Sequence, residues 1–414
     1  MAGAPGAMSS GRPGGRTSED REEDTMTQRG GPVAATSLER VWRVPDAQVA
    51  AGRIPGYVAA VRLGGRVQVR AGGRTAIETR SAPMREETLF RIASLTKPMG
   101  GALTLGLVRD GALALDDPIA RWLPEAANPR VLVAPGAPLD RTTEATRPIT
   151  VRHLLTMTCG WGAVLEETPL QAAMMRRGVY PGPLPPRMSG DEFVARVADL
   201  PMAFQPGEGW LYDTGIDLLG VLLSRATGQP LSDLLAERVT GPLGMTSTSF
   251  GTPHTDRLAT AYQPGSDGLE LLDPPDGAFA GPSAFEQLGS GLVSTAPDVL
   301  RFFCAMADGG GPVLGADSVA LMTADALTGD QRRQALPIVG PGGSWGLATA
   351  VDVEAADPWM APGRWGWDGG TGTTARVDPE RGTVGVLLTQ RAMTGAQDGF
   401  DEFWAAVAAA ATAA

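Results

Sequence analysis

The 414 residues carry 35 basic against 46 acidic side chains, a net charge of −11, and 43% of them are hydrophobic. A core of that content needs no metal or disulfide staple, and an acidic chain without a basic, aromatic-studded stripe is a poor match for nucleic acid. The two cysteines, Cys159 and Cys304, offer no disulfide framework and fit a reducing compartment, so a cytoplasmic protein is expected.

Residues 1–35 are rich in Gly, Ser, Arg and Pro and contain the charged run Ser18–Asp24. They read as a disordered leader without a signal-peptide core, and Met26 is a candidate start. Ser37 then reads as the N-cap of a helix. Tyr57–Leu63 and Val67–Ala71 alternate around Gly64-Gly65, the pattern of a hairpin. From Leu95 to Val108 the period becomes helical, with Pro98 in the first turn, where a missing N–H costs little.

The middle of the chain reads as helices over Val151–Met157, Gly190–Ala198, Asp217–Ala226 and Leu231–Val239, joined by Pro- and Gly-rich connections. Strands return at Gly291–Ser294, followed by a helix over Pro297–Met306. Further strands are expected at Trp345–Val353, Thr374–Val377 and Thr383–Thr389, before an Ala-rich closing helix. Trp404–Ala414 is too short to span a bilayer, so no membrane association is expected. Strands at both ends with helices between predict an α+β fold. Its antiparallel sheet, flanked by helices, comes from about 36–115 and 275–414, with a helical subdomain inserted over about 116–274.

One compositional fact singles out a residue. Of the 35 basic side chains, 34 are arginine and one is lysine, Lys97. Arginine stays charged under ordinary conditions, whereas a lysine can lose its proton when its surroundings disfavour the charge. Ser94 lies three residues before Lys97, on the same helical face and near the helix N-terminus, whose free N–H groups favour an oxyanion. A serine hydroxyl needs a neighbour to take its proton, and a lysine with a depressed pKa could serve.

Rival constellations are weaker. Gly342-Gly343-Ser344-Trp345-Gly346 has the spacing of a nucleophile elbow, yet no histidine follows Ser344 and the residues after it read as a strand. His153 and His254 are too few for a metal site, and Cys159 reads as a small packing residue. Gly309-Gly310-Gly311 reads as a turn after a helix. No metal or organic cofactor is implied.

With Ser94-Leu95-Thr96-Lys97 in place, the chain resembles the serine β-lactamase-related superfamily, above all class C β-lactamases and family VIII carboxylesterases. Ile149–Thr156, Phe204-Gln205-Pro206-Gly207 and Gly241–Met245 are further matches, and the likeness runs from about residue 37 to the end. The resemblance implies a β-lactamase/penicillin-binding-protein-like fold and a serine hydrolase working through an acyl-enzyme on Ser94. It also implies Tyr212, in Tyr212-Asp213-Thr214, as general base beside Lys97, with Thr214 at the substrate and Asp213 facing solvent. The third element appears as Trp367-Asp368-Gly369-Gly370. Gly370 N–H is expected to join that of Ser94 in an oxyanion hole, and Trp367, Asp368 and Gly369 to contact the substrate. A tryptophan where lactamases carry a cation suits an uncharged group and points to a carboxylesterase. A β-lactamase, a D-alanyl-D-alanine peptidase and an acyltransferase share the same residues and remain open, as does, more remotely, a ligand-binding relative. The expected partner is a small ester or a β-lactam-like molecule.

Overall fold

The computed structural model describes Gly3 and residues 32–395, 398 and 400–413. The leader expected over 1–35 therefore lies outside the described residues, apart from Gly3 and the helical residues 32–35. Helix α1 (Pro32–Ala50) begins before Ser37, which lies inside it and does not cap it.

Seven antiparallel strands form the main sheet: β1 (Gly56–Leu63), β2 (Arg66–Gly73), β3 (Gly343–Trp345), β4 (Ala350–Asp352), β5 (Trp365–Gly369), β6 (Thr373–Asp378) and β7 (Thr383–Thr389). Their order is β3-β4-β5-β6-β7-β1-β2, so the two ends of the chain meet where Tyr57 pairs with Thr389. The hairpin β1–β2 turns at Gly64 and Gly65, whose φ values of 57° and 74° need glycine's freedom.

Both faces of this sheet are covered, and β1 shows how. Tyr57, Ala59 and Val61 pack with Leu38, Trp42, Phe403 and Trp404, from α1 and the closing helix. Val58 and Ala60 point the other way, into a larger core that includes Leu103, Phe302 and Phe303. The period of two along a strand thus feeds two cores at once. The helices of the second face are α2 (Thr96–Arg109) and, later in the chain, α4 (Ala296–Ala307); between them lies α3 (Thr214–Thr227), and α5 (Asp401–Thr412) closes the chain.

Between residues 116 and 274 helices outweigh strands, with Val151–Leu155, Pro169–Arg177, Gly190–Ala198, α3 and Leu231–Leu235, and loops join them. Short strand pairs, Arg130–Leu132 with Thr142–Glu144 and Ala261–Gly265 with Gly268–Asp273, interrupt it. The fold is the antiparallel, helix-flanked α+β arrangement read from the sequence.

Three local expectations are corrected. Trp345–Val353 is two strands, because Gly346 N–H closes a tight turn on Thr349 carbonyl at 2.8 Å and Ala348 takes φ 64°. The helix from Leu231 widens after Leu235 into a five-residue turn, closed by Gly241 N–H on Ala236 carbonyl at 2.9 Å. Helices Pro169–Arg177 and Gly329–Val339 were not expected. Both carry start signals: Thr168 caps the first ahead of Pro169, and Thr328 with Gln331 forms a capping box for the second.

Candidate active site

Ser94 sits in a tight turn, Ala93–Leu95, that runs straight into α2. The turn is strained: Ala93 takes φ 44°, and Thr96 Oγ1 donates to its carbonyl at 2.6 Å, holding it. Behind it, strand Phe90–Arg91 pairs with Leu292–Ser294, which draws the loop at Gly289 against α2. On the other side, Thr371 Oγ1 and Thr373 Oγ1 donate to the carbonyls of Arg91 and Ile92 at 2.5 and 3.0 Å. The turn after β5 is thereby tied to the chain that carries Ser94.

Lys97 is fully buried, and an ammonium has three N–H donors. All three are used: on Ser94 Oγ at 2.8 Å, on Gly289 carbonyl at 2.7 Å, and on Asp213 Oδ1. Burial works against the charge, but Asp213 and Tyr212 beside it outweigh burial and push the amine up to about 12. The expected depressed pKa is therefore corrected: Lys97 is held as a cation. Its neighbour explains the reversal, since Asp213 is buried against Lys97 and does not face solvent.

Asp213 reaches Lys97 through an unusual backbone. Its φ and ψ are 83° and −68°, and Thr214 N–H closes on Tyr212 carbonyl at 3.3 Å, a strained γ-turn. One turn further along α3, Asp217 accepts from Gly289 N–H at 2.8 Å and from Gln287 Nε2 at 3.0 Å. Burial, reinforced by the charge of Asp213, raises its carboxyl to about 7. Gly289 is thus gripped twice, and a Cβ there would meet Asp217 Oδ1 at 2.7 Å.

Tyr212 lies on the opposite flank. Its ring centroid is 5.7 Å from Trp367, 6.0 Å from Trp210 and 6.0 Å from Trp345, and Lys97 Nζ is 4.6 Å from it. Trp367 Nε1 donates to the phenolic oxygen at 2.5 Å. Burial raises the Tyr212 pKa, opposed by the charge of Lys97 and by hydrogen bonding from Ser94 and Trp367. Trp367 is thus more than a wall: it also steadies the phenolic oxygen.

A cavity of about 750 Å³ opens over this group, lined by Ser94, Tyr212, Trp367, Asp368 and Gly370 and by apolar side chains including Leu165 and Ile338. Asp368 is already engaged, by Arg376 Nη2 at 2.8 Å and by Thr374 Oγ1 at 2.5 Å. Gly369 is buried beneath the cavity, where a Cβ would meet Ile92 carbonyl at 2.4 Å. Gly370 lies at the mouth, its carbonyl fixed by Met393 N–H at 2.9 Å. Thr214 lines a different cavity, behind Asp213.

The other motifs resolve simply. His153 Nδ1 accepts from Thr150 N–H at 3.1 Å as part of a helix cap, and Ser344 lies in β3, donating to Asp325. Burial pushes the Cys159 thiol up to about 11. Among the described residues no group of three or more His, Cys, Asp or Glu could hold a metal ion, and no helix is long and apolar enough to cross a membrane.

The family model for beta-lactamase matches residues 43–410. The chain belongs to the beta-lactamase family. It is 35% identical to Esterase EstB of Burkholderia gladioli, over 87% of this chain and 92% of that protein. It is 28% identical to the monacolin J acid methylbutanoyltransferase of Aspergillus terreus, over 74% and 78%. The solved structure of EstCE1, described as a hydrolase with promiscuous acyltransferase activity, matches with a TM-score of 0.79 and 28% identity, covering 91% of this chain and all of that one. As a beta-lactamase-family member with esterase relatives, the chain is a serine hydrolase. Asp217, Gly289 and Gln287 were missed in the sequence, where a buried acid one turn into a helix looks like any other polar residue.

Proposed function

We propose that the protein is a carboxylesterase that forms an acyl-enzyme on Ser94, with Tyr212 and Lys97 moving the proton. The observation that carries this is the position of Ser94 Oγ, 2.8 Å from the Lys97 ammonium, at the floor of a largely apolar cavity walled by Tyr212 and Trp367.

At rest Lys97 is charged and Tyr212 protonated. Loss of one proton from the pair leaves a phenolate beside a fixed cation. Ser94 Oγ attacks the ester carbonyl while its proton passes to the Tyr212 oxygen. The N–H groups of Ser94 and Gly370 serve the tetrahedral oxyanion, each worth on the order of a hundredfold in rate. Tyr212 returns the proton to the departing alkoxide; in deacylation it takes one from the attacking water and passes it to Ser94 Oγ as the Oγ–acyl bond breaks, which releases the acid and restores the phenolate. Trp367, Asp368, Gly369 and Gly370 line or support the acyl site. Asp368 is turned to Arg376 and so presents little free charge to a substrate, which agrees with a neutral ester.

A second reading, acyl transfer to an alcohol, is favoured by the apolar mouth of the cavity, where Leu165 is 54% exposed. Incubation with short-chain p-nitrophenyl esters and with nitrocefin, beside Ser94→Ala, tests both. Ester turnover lost in Ser94→Ala, with nitrocefin slow, is expected. An added primary alcohol that captures most of the acyl group would identify a transferase. Fast nitrocefin turnover, or ester turnover that survives Ser94→Ala, would sink the proposal.

A further inference from the structure

Leu165 lines the catalytic cavity from a segment pinned beside Tyr212. Ala163 N–H donates to Tyr212 carbonyl at 2.8 Å, and Leu165 follows two residues on, a reach of about 7 Å at most. The Tyr180 hydroxyl and Gln171 Nε2 both donate to Val164 carbonyl at 3.0 Å. Leu165 is nonetheless 54% exposed. A lone exposed leucine is ordinary on a surface, but three hydrogen bonds hold the backbone leading to this one at the edge of a cavity. Ile338 lines the same cavity from the helix Gly329–Val339. That helix is clamped to the chain just before Tyr212. Trp210 N–H donates to Gln334 Oε1 at 2.8 Å, and Gln331 Nε2 donates to Gly207 carbonyl at 2.9 Å. Ile338 lies one turn beyond Gln334, about 6 Å along the helix axis. Among the described residues no lysine, arginine or histidine lines the cavity, and its two carboxylates, Asp213 and Asp368, are paired with Lys97 and Arg376.

We propose that Leu165 and Ile338 select the alcohol half of the substrate, an apolar alkyl or ring alcohol. The assignment follows from the proton. Tyr212 returns it to the departing alkoxide, so the alcohol oxygen must come within hydrogen-bond reach of the Tyr212 hydroxyl. The rest of the alcohol then leaves along the flank of Tyr212, where the segment of Leu165 and the helix of Ile338 are clamped. An alcohol that extends past Tyr212 to Leu165 needs about four to six carbons at ~1.5 Å per bond. The inference rests on the reading that Ser94 is acylated and that Tyr212 serves the leaving group.

The test compares hexyl acetate with ethyl hexanoate, isomers that add the same methylenes to ethyl acetate on the alcohol and on the acyl side. Acid release at neutral pH gives kcat/KM, which reports acylation and so senses both halves of the ester. With each buried methylene worth about threefold, the ratio of hexyl acetate to ethyl acetate is expected to exceed about tenfold in the native protein. Leu165→Ser and Ile338→Ser are each expected to cut that ratio about fivefold, while the ratio of ethyl hexanoate to ethyl acetate stays within about twofold. Each is a ratio within one variant, so general damage cancels, and an exposed leucine is replaced at little cost to folding. A native hexyl acetate ratio short of about tenfold overturns the inference. So do truncations that lower both ratios alike, only the hexanoate ratio, or neither. Turnover of either isomer that survives Ser94→Ala overturns the nucleophile assignment instead, which is a different failure.

Discussion

The two flanks of Ser94 are built from opposite materials. On one side Lys97, Asp213, Asp217 and Gly289 form a buried polar cluster in which every N–H of the ammonium is used. On the other, Trp210, Trp345 and Trp367 enclose Tyr212, with a single indole N–H on its oxygen. The charged flank fixes protonation, because removing either partner of a buried ion pair leaves an uncompensated charge. The aromatic flank fixes geometry and excludes water but leaves the phenol hard to ionise. The mobile proton therefore belongs to Tyr212, and Lys97 supplies a permanent field. In the sequence, by contrast, the spacing alone offers the lone lysine as a proton acceptor, and only the family resemblance points to Tyr212 as the base.

The comparison can be broken hardest at Lys97. Lys97→Arg keeps the charge but forces a larger, planar head into a fully buried place, and kcat/KM is expected to fall by about a thousandfold or more. Near-normal ester turnover in this variant would falsify the role of Lys97. Next comes the grip on Gly289: Gly289→Ala pushes a methyl against Asp217 Oδ1. A thermal melt should show a loss of about 1–3 kcal/mol, with a larger relative loss of activity than of folded protein.

Asp213→Asn sharpens the contrast more gently. It removes the charge that outweighs the burial penalty on Lys97, so the lysine pKa drops. In the native protein that amine holds its proton up to about 12, above its ordinary 10.5. The pairing therefore stabilises the fold fully below the ordinary value and is lost as pH rises through the folded one. Melts of Asp213→Asn should lie below the native curve at neutral pH and converge on it toward pH 12. For the native enzyme, the upward shift of Tyr212 predicts that kcat/KM climbs with pH above neutrality; a flat profile from pH 6 to 9 would contradict Tyr212 as base. The mildest change is Trp367→Phe, which keeps the ring and removes the N–H. It is expected to cost about tenfold in kcat and to move the ascending limb to higher pH, since the phenolate loses one stabilising donor.

Much of this was legible in the chain. The spacing of Ser94 and Lys97, the single lysine, the Gly64-Gly65 hairpin and the terminal strands around a helical middle follow from periodicity, turn chemistry and local reach. Those are properties of neighbours in sequence, which side-chain pattern reports directly. What the sequence could not decide was the charge state of Lys97 and the direction of Asp213. Both depend on a γ-turn at φ 83° that no side-chain pattern announces, and on Gly289, 192 residues from Lys97, closing over the pair. Whether a buried acid points to water or to a cation is a matter of packing and solvation, and these are set only when the chain has folded.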